Sequence, residues 1–207
     1  MPLRAPENTL ASFALALASG ADGIELDVHM TADGAVVVHH DPELADGTAL
    51  ALVTLTELAE HESSAARGIP TLQQVCGLVK GRAELFVEIK GPGIEREVVA
   101  VLASYDGPFA IHSFDHDLIR RVSTMNTGFR LGILVDDVET DVRAAMAAAG
   151  ALDAWPHYPL VTPSMVGAVH SEAGRVLPWT VNDPEEARRL VALGVDGICT
   201  DDVMILR

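Results

Sequence analysis

Short apolar runs alternate with helical segments along nearly the whole chain, and no other feature constrains the fold as tightly. Strand-like runs at 24–28, 84–89, 108–114, 130–135, 154–157, 176–181 and 197–200 are separated by helical stretches. Alternation of this kind is the signature of parallel strands joined by crossover helices. The first helix is expected from Pro6 to about Ser19 with Gly20 as its stop, and Thr71 is a fitting N-cap for a helix reaching about Val79. Asp33-Gly34 between apolar runs predicts a hairpin whose second arm is Ala35 to His40. With that arm set aside, seven barrel strands remain. The expected architecture is α/β, a (β/α)8 barrel of the TIM type, which needs eight strands. The chain opens with a helix, so the strand expected to be missing is the first one. No linker or repeat divides residues 1–207, which read as a single domain.

A chain of 207 residues with 49% hydrophobic content can bury a sizeable core. Its formal charge of -16, with no basic block, would repel nucleic acid and anionic membrane surfaces. No run approaches the roughly 18 apolar residues of a membrane span, and no signal region opens the chain. Cys76 and Cys199 match neither a metal spacing nor a disulfide framework; read as buried thiols, they favour a reducing, cytoplasmic setting. A small anionic substrate would need local positive charge, from a metal or a few placed cations, against the acidic background.

In a barrel, the active site lies where strands end and βα loops begin. The run Gly23-Ile-Glu-Leu-Asp-Val28 is informative there: alternation sends Ile24, Leu26 and Val28 to one face and both Glu25 and Asp27 to the other. Two ionised acids on a half-buried strand repel and lose hydration, a conflict that a divalent cation resolves. Glu88 and Lys90 repeat the pattern, with Val87 and Ile89 facing the helices while the charges face the barrel axis. Three carboxylates and a lysine suit a hard divalent ion and an anionic substrate oxygen. The competing reading is a buried ion-pair network, in which one lysine would have to balance three carboxylates. Ser113, His157, Thr180, Asn182, Thr200 and Asp201 are the other polar residues expected at the strand ends.

Adjacent His39 and His40 on a strand must face opposite sides, so only one can face the site; His40 is the candidate general acid or base. His29, His61, His116 and His170 are read as structural, while His112 suits a packed imidazole and a site residue equally. Trp179, in a chain with 4% aromatic residues, could stack on a substrate or plug the barrel.

The order of motifs resembles the glycerophosphodiester phosphodiesterase family. The matching segments are Pro6-Glu-Asn-Thr9, Gly23-Ile-Glu-Leu-Asp-Val28, Thr31 with Asp33-Gly34, Val38-His-His-Asp41, Ile69-Pro-Thr-Leu72, Val87-Glu-Ile-Lys90, Ser113-Phe114, Trp179-Thr-Val-Asn182, and Gly194 to Ile198 with Thr200-Asp201. The resemblance implies a (β/α)8 barrel that hydrolyses glycerophosphodiesters to glycerol 3-phosphate and an alcohol with calcium or magnesium. It also implies that Glu25, Asp27 and Glu88 hold the metal, that His40 is one of two acid-base histidines, that Lys90 contacts the phosphate and that Trp179 lines the substrate pocket. In family terms a glycerol hydroxyl attacks through a cyclic phosphate, which water opens. The family's opening strand and its His-Arg-Gly motif would precede Met1, and Arg4 takes no role from them. A barrel without that strand leaves sheet edges on which two copies could pair as a homodimer. Competing readings are a barrel that binds metal or headgroup without turnover, and a lysophospholipase D- or sphingomyelinase-like relative. The loop at 42–67 is short, which favours small water-soluble diesters over lipids.

Overall fold

A computed structural model describes residues 5–125 and 128–206. Arg4 lies outside the described residues. The chain divides into two compact units, Pro2–Phe109 and Ala110–Arg207.

The first unit is organised around β1 (Gly23–Met30), which pairs antiparallel with β2 (Val36–Val38) and parallel with β3 (Glu84–Ile89). In the parallel register Asp27 lies beside Glu88 and Val28 beside Ile89. Leu26, Val28, Val87 and Leu85 are fully buried, so the apolar set of each strand faces the core while the acids share the opposite face. The expected hairpin turn forms: Gly34 sits at φ 84, and the Thr31 hydroxyl bonds Asp33 at 2.6 Å. β2 is shorter than its expected span. His39 and His40 lie beyond its end, because the Asp41 N–H is taken by His39 Nδ1 at 3.1 Å and the chain turns there.

Helix α1 (Leu10–Ala18) begins four residues later than expected. Thr9 holds the cap by accepting from the Ser12 N–H, and Asn8 at φ 54 cannot belong to a helix. The loop and short helix that the sequence suggests around Thr54 to His61 form, the helix as α2 (Leu55–Ala59), and the segment packs on its own: Leu44, Leu50, Leu58 and Ala66 cluster against Val37, with α2 and α3 (Ser64–Arg67) carrying two of them. Helices α4 (Leu72–Val79) and α5 (Glu95–Leu102) complete this unit. Thr71 caps α4 through a capping box with Gln74, as its position in the sequence suggests.

In the second unit β4 (Phe109–Ser113), β5 (Arg130–Val135), β6 (Asp153–Pro156) and β7 (Arg175–Val176) run parallel in that order. Helices α6 (His116–Ser123), α7 (Val142–Ala149), α8 (Pro163–Ser171) and α9 (Pro184–Leu193) are each N-capped by an Asp or Thr side chain: Asp115, Asp141, Thr162 and Asp183. Two expectations fail here. The strand expected at 176–181 stops at Val176, and 197–200 forms no strand. The two stretches still exchange backbone bonds, Cys199 N–H to Pro178 O at 2.9 Å and Val181 N–H to Cys199 O at 2.8 Å. Pro178 brings no N–H to the ladder, which limits regular pairing at that point.

At the amino ends of β5 to β7, Asp153 is fully buried and is gripped by Arg130 at 2.7 Å and Arg175 at 2.6 Å. The bond from the Arg130 Nε–H at 2.8 Å and those from Arg175 make both contacts two-pronged.

Candidate active site

The parallel register of β1 and β3 assembles most of the charged residues singled out in the sequence. Lys90 Nζ lies 3.4 Å from Asp27 Oδ1 and 3.5 Å from Glu88 Oε1, and Glu25 and Glu88 present carboxylate oxygens within 4.8 Å of each other. Asp27 and Glu88 are buried, and Lys90 keeps 19% of its side chain exposed. Burial alone would lower the Lys90 pKa, but the two carboxylates outweigh it and hold the ammonium above its usual value. Glu25 shows the opposite balance. Its residue surface is only partly covered, yet the carboxyl end is enclosed; burial and then the Asp27 charge push its pKa well above the usual carboxylate value, only partly offset by Lys90 and His40.

His40 joins this group from the loop after β2. Its Nε2 lies 3.1 Å from Lys90 Nζ and its Nδ1 2.8 Å from Asp41 Oδ1. An ammonium can only donate and a carboxylate can only accept, so the neutral imidazole carries its proton on Nδ1 and offers the Nε2 lone pair to the site. His39 turns away, its Nδ1 accepting from the Asp41 N–H. The pair therefore does divide its faces, with His40 toward the acids. Buried His29 donates from Nε2 to the His40 carbonyl at 3.1 Å; burial lowers its pKa and favours the neutral ring, so it anchors the loop without adding charge.

The remaining candidates lie in the second unit. Trp179 Nε1–H donates to the Trp155 carbonyl at 2.8 Å, and its ring meets Phe114 edge-on at 5.4 Å and His157 at 5.2 Å. Asn182 bonds Asp201 at 2.6 Å and receives the Thr200 hydroxyl at 3.3 Å. Ser113 is buried and accepts from the Asp115 N–H. His112 is buried and stacks on Trp155 at 4.3 Å with 7° between the rings. His61, His116 and His170 bond Asp46, the Leu134 carbonyl and Asp196 respectively, in keeping with structural roles.

Acids outnumber the single lysine among them, and burial, followed by the Asp27 charge, raises the Glu25 pKa. Glu25 and Glu88 offer hard oxygen donors of the kind a divalent cation takes. The chain matches the family model described as the glycerophosphoryl diester phosphodiesterase family over residues 1–205. It belongs to that family. A glycerophosphodiester phosphodiesterase of Caldanaerobacter subterraneus is 34% identical over 217 residues, covering 95% of this chain and 89% of the relative. Among solved structures, a phosphodiesterase of Oleispira antarctica in complex with its product sn-glycerol-3-phosphate aligns with a TM-score of 0.84 at 26% identity, over 95% of this chain and 87% of that one. A glycerophosphodiester phosphodiesterase of Thermotoga maritima aligns with a TM-score of 0.82 at 27% identity, over 96% and 90%.

The fold is accordingly α/β of the family's (β/α)8 barrel type. Within this phosphodiesterase family chain, Glu25, Asp27, Glu88, Lys90 and His40 come together as the sequence suggested. Two contributors were not singled out. Asp41, which sets the His40 tautomer, was visible only as part of a motif. Asn8, which bonds Asp27, was visible only inside Pro6-Glu-Asn-Thr9. Nothing in strand periodicity could connect a residue before α1 to the middle of β1.

Proposed function

We propose that this chain is a metal-dependent phosphoric diester hydrolase that cleaves glycerophosphodiesters to glycerol 3-phosphate and an alcohol. The observation that carries the reading is the cluster of Glu25, Asp27, Glu88, Lys90 and His40 in a member of this family. Glu25, Asp27 and Glu88 would hold a divalent cation, calcium or magnesium, which when bound supplies charge stabilisation to the phosphoryl oxygens. Lys90 serves as the phosphate contact: its ammonium already faces two carboxylates and exchanges its bond to His40 for a phosphate oxygen. His40 serves in proton transfer. With Nδ1–H held by Asp41, its Nε2 takes a proton from an attacking hydroxyl or, once protonated, returns one to a leaving alkoxide. Trp179, a partly buried residue beside Phe114, serves as an apolar contact for the substrate. The match over residues 1–205 supports reading the chain as one catalytic domain, and Cys76 and Cys199, neither in a disulfide, suit a reducing, cytoplasmic setting.

The product found in the Oleispira antarctica relative supports glycerol 3-phosphate as the shared product. The test is release of glycerol 3-phosphate from glycerophosphocholine with calcium, with magnesium and with chelator. Release that stops on chelation is expected. Cation binding without release under any metal would overturn the hydrolase reading in favour of a binding module.

A further inference from the structure

Asp27 is held from two directions, and one of the two hands is a side chain with no assigned role. Asn8 Nδ2 donates to Asp27 Oδ2 at 2.8 Å, and the Asp27 backbone N–H donates to Asn8 Oδ1 at 3.3 Å. The two residues are 19 positions apart, and Asp27 itself is only 6% exposed. One amide plane thus fixes both the β1 backbone and the rotation of the carboxyl group. On the other side, Oδ1 faces Lys90 at 3.4 Å.

We propose that Asn8 is a positioning residue for the acid cluster: by occupying Oδ2 of Asp27 it turns Oδ1 toward the site where Glu25 and Glu88 offer their own oxygens. This rests on the metal-site reading given above. The chemistry at position 8 is restrictive. The residue must donate to a carboxylate and accept from an N–H at once, which a primary amide does through two separate atoms; an ionised carboxylate cannot donate, and a hydroxyl would have to do both through one oxygen. It must also sit at φ 54, a region that Asn tolerates better than other residues with a Cβ. A short amide in a left-handed turn before the Thr9 cap meets both demands. Groups that orient metal ligands in this way govern affinity nearly as much as the ligands do.

The backbone and side-chain contributions separate cleanly. Asn8→Gly keeps the left-handed conformation and removes the amide, whereas Asn8→Asp keeps the size and replaces the donor with a second carboxylate. Calcium and magnesium binding to the full chain is measured by titration calorimetry, beside thermal melting and glycerol 3-phosphate release across metal concentrations. Asn8→Gly is expected to weaken cation binding by roughly 10- to 100-fold with melting little changed, and excess metal should restore much of its turnover. Asn8→Asp should not restore wild-type affinity at sub-saturating metal. If the wild type binds and Asn8→Gly binds equally well, the role of Asn8 falls while the metal site stands. If the wild type binds no cation, the metal-site reading fails and this role with it. Loss of folding in both variants would make Asn8 a structural cap and overturn the proposal.

Discussion

The two units each bury carboxylate beside cation, with opposite balances. On β1 and β3 three acids lie near one lysine, so acids outnumber the cation. At the start of β5 to β7 one fully buried acid is gripped by two arginines through paired bonds. The second arrangement is complete: every oxygen of Asp153 is used, and nothing is left over for a ligand. In the first, acids outnumber the cation, and the proposed divalent ion would add positive charge. Their positions agree with this. Asp27 and Glu88 lie toward the carboxyl end of the paired parallel stretch, where barrel chemistry is carried, and Asp153 opens its strand, where such residues hold the fold.

Removing groups from each cluster should separate catalysis from stability. The largest effect is expected for His40→Gln, whose loss of proton transfer should lower kcat/KM by about 10²- to 10⁴-fold. Its side chain is 53% exposed, so melting should hardly change. Glu88→Gln should lower glycerol 3-phosphate release by roughly 10²- to 10³-fold, as loss of several kcal/mol of charge stabilisation would do. Its melting temperature should stay level or rise, since like charges are relieved; a marked fall would instead make this cluster a stability device like the other.

Asp153→Asn should do the reverse. Two partly buried guanidinium groups lose their counter-charge, costing roughly 3 kcal/mol, the low end for a broken buried pair because both arginines keep solvent contact. Thermal scanning should show a fall of about 6–12 °C for a chain of this size, with turnover per folded molecule retained at 25 °C. The smallest effect tests burial without a counter-charge. Burial pushes the Cys76 thiol up to about 11, in the same sense as Glu25. A raised thiol pKa favours the neutral form, so at pH 8 the thiolate is on the order of 10⁻³ of the population. Alkylation followed by mass spectrometry should modify Cys199 well before Cys76, and Cys76 should quicken as pH approaches 11.

Much of this was legible in the sequence, because strand alternation is local. The spacing of Glu25 and Asp27, and of Glu88 and Lys90, was enough to put each pair on one face, and their burial agrees. The cap residue Thr71 acts within three positions and was equally readable. Strand ends near Pro178 were not, because a run of apolar residues does not report which backbone groups find partners. The sequence by itself determined the class of fold and which residues carry charge to the site. Only the tertiary structure decided how that charge is held: the register that sets Asp27 beside Glu88, the Lys90 contact that orients His40, and the reach of Asn8 to Asp27 across 19 positions. Periodicity acts over neighbouring residues, whereas hydrogen-bond partners at long separation exist only once the chain has folded.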